Sequence, residues 1–163
     1  MRDVFPVLRV LGVLITFTAL SMVLPLGISW WWQDGATDAF LGAMVLTGTA
    51  GLSLWAGMQR FRRELQPRHG VMLVSLAWLL MPVFAAVPLL LALHAIGRPI
   101  SFTHSYFEAV SGLTTTGGTV LTKLDTLPQS VNFWRTFLQW VGGMGILILA
   151  VAVLPLLGVG GSQ

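Results

Sequence analysis

Ser105–Gly118, SYFEAVSGLTTTGG, is the stretch on which the reading of this chain turns, together with FWRTFLQWVGGMGI at Phe133–Ile146. A short amphipathic piece runs into three threonines and two glycines, and long apolar segments lie on either side. A helix C-terminus carries partial negative charge, and a chain that continues extended through Thr and Gly can turn its carbonyl oxygens toward a dehydrated cation. In a soluble protein TTTGG would be a polar turn. Between two membrane spans and behind a short helix it predicts a pore loop.

Composition supplies the membrane. Hydrophobic residues make up 55% of the chain and charged residues 9%, and the mean hydropathy is +0.82, values unsuited to the surface of a water-soluble domain. Nine Lys and Arg against six Asp and Glu give a formal charge of +3, too small and too scattered to point to nucleic acid. There is no cysteine, hence no disulfide framework or thiolate chemistry, and the three histidines lack metal-ligand spacing. An intramembrane enzyme would need a nucleophile–base pair or a metal cluster inside the spans, where only His94, threonines and serines are available.

Four stretches are long and apolar enough to cross a hydrocarbon core, which takes about 20 residues. Val10–Trp32 and Ala39–Gln59 carry no charge, and Val71–Gly97 holds only His94. The fourth covers 134–157 and is uncharged from Thr136 to Leu157. These define an all-α membrane protein: an N-terminal transmembrane helix pair over 1–59, a basic link over 60–70, and one helix–pore loop–helix repeat over 71–163. Within the repeat the first span is 71–97, the pore helix about 101–113 and the filter 114–118. The first span outlasts the 7–15 residues of a signal-peptide core and no A-x-A-like site closes it, so it reads as a retained helix. Beyond the fourth span, the glycines of LPLLGVGGSQ at 154–163 give the chain the look of a truncated one.

Arginines set the orientation. Arg2 and Arg9 precede the first span, Arg60, Arg62, Arg63 and Arg68 crowd the link between the second and third, and Asp34 and Asp38 make the first link acidic. The positive-inside tendency puts the N-terminus and the basic link in the cytoplasm and opens the pore loop outward. Trp30, Trp31 and Trp32 suit either an aromatic belt at the headgroups or packing on a neighbouring helix. Ala39, Ala43, Thr47 and Gly51 recur every fourth residue, a face of small side chains that lets another backbone approach. Pro82 and Pro88 predict a bend in the third span, with Ser75 available to bond a carbonyl.

A pore helix starting at Ser101 or Thr103 has about three turns, enough to reach halfway into a bilayer. Tyr106, Val110 and Leu113 fall on one face; Glu108, Ser111 and Thr115 incline to another. Ser105 with Glu108 matches a capping box, so Glu108 reads as structural, with Arg135 as a partner, in preference to a direct cation contact. Ser111 shares that supporting role. Gly117 allows consecutive carbonyls to face one side. Gly142, Gly143 and Gly145 predict close packing of the fourth span, with the pore helix as the contact.

FEAVSGLTTTGGTVL, the LDTLP of Leu124–Pro128, and FLQWVGGMGILILAVAVLPLLGVGG closely resemble the TrkH/TrkG/KtrB superfamily of potassium uptake proteins, its TrkH branch most of all. The resemblance is strong from about His104 onward, and the earlier helix pair fits it in number and orientation. It implies a potassium path at the centre of four such repeats in one chain, located in the bacterial cytoplasmic (inner) membrane. The filter role falls on Thr114, Thr115, Thr116, Gly117 and Gly118, with K⁺ as the transported ion at the backbone carbonyls of Thr115, Thr116 and Gly117. The TVGYG filter of tetrameric potassium channels is absent. One repeat cannot enclose an ion, so the resemblance further implies three remaining repeats, a homodimer, and a TrkA-like cytosolic nucleotide-binding regulatory subunit, all in the lipid bilayer or at its surface. The alternatives are a non-conducting assembly fragment and a Na⁺-permeable cation transporter.

Overall fold

The computed structural model describes residues 4–59 and 67–153. Six α-helices follow one another among them: α1 (Phe5–Ser21), α2 (Val23–Trp32), α3 (Thr37–Gly57), α4 (Pro67–Ala95), α5 (Phe102–Leu113) and α6 (Gln129–Val153), with a 3-10 turn at Leu124–Thr126 before α6. Three helical stretches, Phe5–Trp32, Thr37–Gly57 and His69–Ala95, are long and apolar enough to span a membrane. The expected fourth span falls on α6, which is not one of these three, and its continuation over 154–157 lies outside the described residues. The expected 60–70 link divides likewise: 60–66 are not described, and 67–70 already belong to the first turn of α4.

The first span departs from the unbroken helix expected of it. Helical bonding tightens at Met22, whose N–H donates to Ala19 O at 3.1 Å, before α2 resumes. Pro25 is the cause, because it lacks the N–H that would reach Ser21 and its ring crowds that carbonyl. At the end of α2, Trp30, Trp31 and Trp32 are 65%, 77% and 64% exposed, so they do not pack on a described helix of this chain.

The small face of α3 is buried as its four-residue period predicts, through Ala39, Ala43, Thr47 and Gly51. α1 packs on it more extensively than any other pair of helices packs. At the crossing, a Cβ on Gly12 would stand 2.7 Å from Trp55 N and 2.9 Å from Gly51 O, and one on Gly51 would stand 2.6 Å from Thr16 N. The two backbones are therefore in direct contact, which side chains larger than hydrogen would prevent.

α4 stays helical through both Pro82 and Pro88. Each proline withdraws the donor due to the carbonyl four residues back and disturbs the turn before it. Beside each, an aromatic donor from another helix supplies a bond. The Tyr106 hydroxyl of α5 donates to Leu79 O at 3.1 Å, three residues before Pro82. The Trp134 indole of α6 donates to Ala85 O at 2.9 Å, three residues before Pro88. Ser75 donates to Val71 O at 3.0 Å, as expected of it. α4 ends in a Schellman closure, Arg98 N–H to Leu93 O at 2.9 Å and Gly97 N–H to His94 O at 3.1 Å, with Gly97 at φ +74°.

Trp134 is fully buried and meets Phe40 of α3 edge-on at 6.4 Å, in a core drawn from α3, α4, α5 and α6. Asp34 joins the helix pair to this assembly. Its carboxylate accepts from Ser29 Oγ (2.5 Å), Ala36 N (3.1 Å), Ser130 N (2.9 Å) and Ser130 Oγ (2.6 Å), so an acid from the first link caps the start of α6. Burial alone would raise its pKa, but the donors from Ser130, Ser29 and Ala36 outweigh it and leave the carboxyl below its ordinary value.

Replacing Gly51 with Ala is expected to cost about 1–3 kcal/mol, because the added carbon meets backbone that has no free direction to move. Gly27→Ala, where a Cβ would meet nothing within 4 Å, serves as the control. Thermal unfolding in detergent measures both, and equal midpoints would contradict the close crossing of α1 and α3.

Candidate functional site

α5 begins where the sequence predicts. Ser101 is its N-cap, with Ser101 Oγ accepting from His104 N at 3.2 Å. The capping box at Ser105 and Glu108 does not form: Ser105 lies inside the helix and donates to Ser101 O at 3.2 Å. Glu108 is freed for another task. Twelve residues give α5 a length of roughly 18 Å at 1.5 Å per residue.

The chain leaves α5 through a second Schellman closure, Thr116 N–H to Ser111 O at 3.0 Å and Thr115 N–H to Gly112 O at 2.9 Å. The left-handed position of this motif ordinarily holds Gly; here it is Thr115, at φ +58°. A β-branched residue there is strained by about 1–2 kcal/mol. Gly117, at φ +74°, takes a second left-handed step two residues later, as the sequence reading expects of a glycine there. Thr114 Oγ1 donates to Val110 O at 2.7 Å and lies 2.8 Å from Thr116 Oγ1, which ties the turn to itself.

Beyond Gly117 the chain is pinned to the polar face of α5. Ser111 Oγ donates to Gly118 O at 2.6 Å. Glu108 Oε1 accepts from Thr119 Oγ1 at 2.6 Å and from Val120 N at 2.7 Å, while its Oε2 accepts from Arg135 Nε at 2.9 Å. The Glu108 side chain is 2% exposed and that of Arg135 15%. The partner expected for Glu108 is the one found; of the expected polar face Glu108 and Ser111 are buried and Thr115 is exposed, and of the expected apolar face Leu113 is buried while Tyr106 and Val110 are partly so.

Between these two anchorages lie Thr114, Thr115, Thr116 and Gly117, all exposed on the surface of this chain. No hydrogen bond among the described residues reaches their carbonyl oxygens, in contrast to that of Gly118. Unpaired carbonyls following a helix C-terminus form a cation-attracting edge.

The three α6 glycines are not equivalent. A Cβ on Gly142 would land on the carbonyl of Leu113, the last residue of α5; one on Gly143 would touch Thr115 Cγ2 at 3.7 Å; one on Gly145 would meet nothing within 4 Å. Close contact with α5 is thus carried by Gly142, answered by Gly112, whose Cβ would stand 3.0 Å from Leu138 Cβ. The expected close packing at Gly145 has no counterpart among the described residues, because Gly145 lies almost a turn beyond Gly142, past the end of α5. Sequence reasoning also missed the bonding of Asp34, the left-handed angle of Thr115 and the proline-facing donors Tyr106 and Trp134. Only the proline spacing could have signalled the last two.

The described chain is thus an all-helical membrane protein in which a twelve-residue helix leads into exposed carbonyls without hydrogen bonds. Comparison with known proteins narrows the class. A family model described as TrkH, cation transport protein, matches residues 36–163, and the chain belongs to this family. It is 43% identical over 155 residues to the Trk system potassium uptake protein TrkH of Halomonas elongata, covering 95% of this chain and 32% of that protein. It is 33% identical over 152 residues to TrkG of Escherichia coli K12, covering 93% and 31%. The crystal structure of the potassium transporter TrkH from Vibrio parahaemolyticus superposes with a TM-score of 0.86 at 38% identity, covering 99% of this chain and 33% of that one. The chain therefore spans about a third of the length of the relatives it matches.

Arg135→Met should leave the buried Glu108 carboxylate without its cation and cost about 3–5 kcal/mol. Denaturant unfolding measures this, and Glu108→Gln in the Arg135→Met background should recover part of the loss. If Arg135→Met alone unfolds like the parent protein, the pair is not a structural anchor.

Gly142→Ala should lower the yield of folded protein in detergent, by overpacking against Leu113, while Gly145→Ala leaves it unchanged. The reverse order would place the helix contact elsewhere on α6.

Proposed function

We propose that this chain is the N-terminal portion of a potassium uptake protein of the bacterial cytoplasmic membrane and contributes one wall of its selectivity filter. The carbonyls of Thr115, Thr116 and Gly117 would replace water around K⁺, with Thr114 at the inner end of α5 and Gly118 as the anchored outer end. The observation that carries the reading is the run of exposed carbonyls without hydrogen bonds, held between the Schellman closure and the Ser111 and Glu108 contacts. The relatives' names as potassium uptake proteins support the choice of ion.

One such wall leaves the ion open on its other sides. Three further repeats in the remaining two-thirds of the relatives' length would complete the ring, with a homodimer and a TrkA-like cytosolic nucleotide-binding regulatory subunit as the larger assembly. The arginine distribution supports a multi-pass orientation with Met1 and the 60–70 link cytoplasmic and Asp34 and Lys123 outside. No nucleophile or cofactor site enters this reading; the chemistry is desolvation and carbonyl coordination.

The test is Gly117→Ser in the complete transporter, compared at equal membrane abundance with the parent and with Thr122→Ser, an exposed position in the outer loop. A Cβ at 117 meets nothing within 4 Å, so the burden is the left-handed backbone, φ +74°, and not a clash. A left-handed serine costs about 1–2 kcal/mol, and relaxation of that strain should reduce K⁺/Na⁺ discrimination by roughly five- to thirtyfold. Wild-type K⁺ affinity and discrimination in Gly117→Ser would make TTTGG an ordinary turn. A parent protein that takes up Na⁺ as readily as K⁺ would favour the Na⁺-permeable alternative.

A further inference from the structure

The first two turns of α6 gather four contacts. Ser130 bonds Asp34 from the link between α2 and α3, through its N–H at 2.9 Å and its hydroxyl at 2.6 Å. Asn132 Nδ2 donates to Leu124 O at 2.7 Å, holding the chain that returns from the 114–118 segment. Trp134 Nε1 donates to Ala85 O of α4. Arg135 Nε donates to Glu108, whose other oxygen holds Val120 N and Thr119 Oγ1 just beyond Gly118. Two of these contacts secure the chain leaving the proposed filter. A third comes from outside the repeat altogether.

We propose that Asp34 is a positioning residue for the filter: the helix pair that precedes the repeat sets the seat of α6 through Asp34 and Ser130, and α6 in turn fixes residues 119–124 through Arg135–Glu108 and Asn132. The inference rests on the functional reading given above, and it assigns to α1–α3 a part in ion selection although, among the described residues, no hydrogen bond joins them to 114–118. Asp34 is suited to this because its carboxylate is itself held on the helix-pair side, by Ser29 Oγ and Ala36 N. A group anchored at both ends transmits position, whereas an acid fixed only to α6 would simply ride with it. Asp38, exposed in the first turn of α3 on the same side of the chain, is the natural control.

The experiment uses the complete transporter with Asp34→Asn, Ser130→Ala, both together, and Asp38→Asn. Ser130→Ala keeps the backbone N–H bond to Asp34 and so retains a folded reference should Asp34→Asn fold poorly. Two quantities are read. Amide hydrogen exchange should quicken at Val120 and Leu121 in Asp34→Asn and in Ser130→Ala, as well as at 130–132; a merely local cap would quicken exchange at 130–132 alone. K⁺/Na⁺ discrimination at equal membrane abundance should fall roughly two- to tenfold in each single variant, with the double no worse than the more affected single and Asp38→Asn unchanged. Unaltered exchange at 120–121 together with unaltered discrimination overturns the proposal, as does a double variant in which the two losses multiply. Gly117→Ser run alongside separates the two readings: if it leaves discrimination untouched, the filter assignment fails, and exchange at 120–121 alone then decides whether Asp34 positions that segment.

Discussion

A carboxylate with almost no exposed surface has to be neutralised and hydrogen-bonded, or it unfolds its surroundings. Glu108 meets that requirement with one guanidinium, one hydroxyl and one backbone N–H, and the three donors come from two separate parts of the chain. The consequence is geometric. α5, the segment climbing away from it and the start of α6 are fixed to a single point, so the exposed carbonyls at 114–117 cannot drift relative to the helix behind them. Replacing the cluster with apolar groups of equal volume could match its stability, but it would lose the directional bond to Val120 that sets where the outgoing chain lies.

Prolines and aromatics share out a second constraint. α4 has to carry Pro82 and Pro88 through an apolar setting in which any weakened carbonyl bond is expensive. Tyr106 and Trp134 bring donors to the turns that precede the two prolines, so those turns are also where α5 and α6 bond to α4. Trp134 does this while filling the core against Phe40.

Local signals in the sequence reached some of this and not the rest. The small face of α3 was legible because its period is that of the helix itself, and the start of α5 because Ser101 stands just outside an amphipathic run. The Glu108–Arg135 contact was legible because an acid inside an apolar stretch has few cations within reach. The break at Met22 had its signal in Pro25, which a count of uncharged apolar residues passes over. By contrast, Asp34 resembled any acid in a polar link, since its partner Ser130 lies 96 positions away. The left-handed angle of Thr115 ran against residue preference, which pointed to Gly117 alone. Distinguishing Gly142 from Gly145 required the rotation of α6 against α5, a property of the packed pair that no single-helix pattern contains.

The same 96-residue separation has a temporal side. At a synthesis rate of about 5–20 residues per second, Asp34 leaves the ribosome roughly 5–20 s before Ser130. Over that interval α1 and α3 can form their close crossing, and Ser29 and Ala36 already offer the acid its first donors, so the carboxylate waits in place for a helix not yet made. α6 then arrives last of the six described helices and closes four contacts at its own beginning. The earlier helices therefore act as a jig for α6, and a helix pair that takes no part in the proposed ion path has its work done before the path exists.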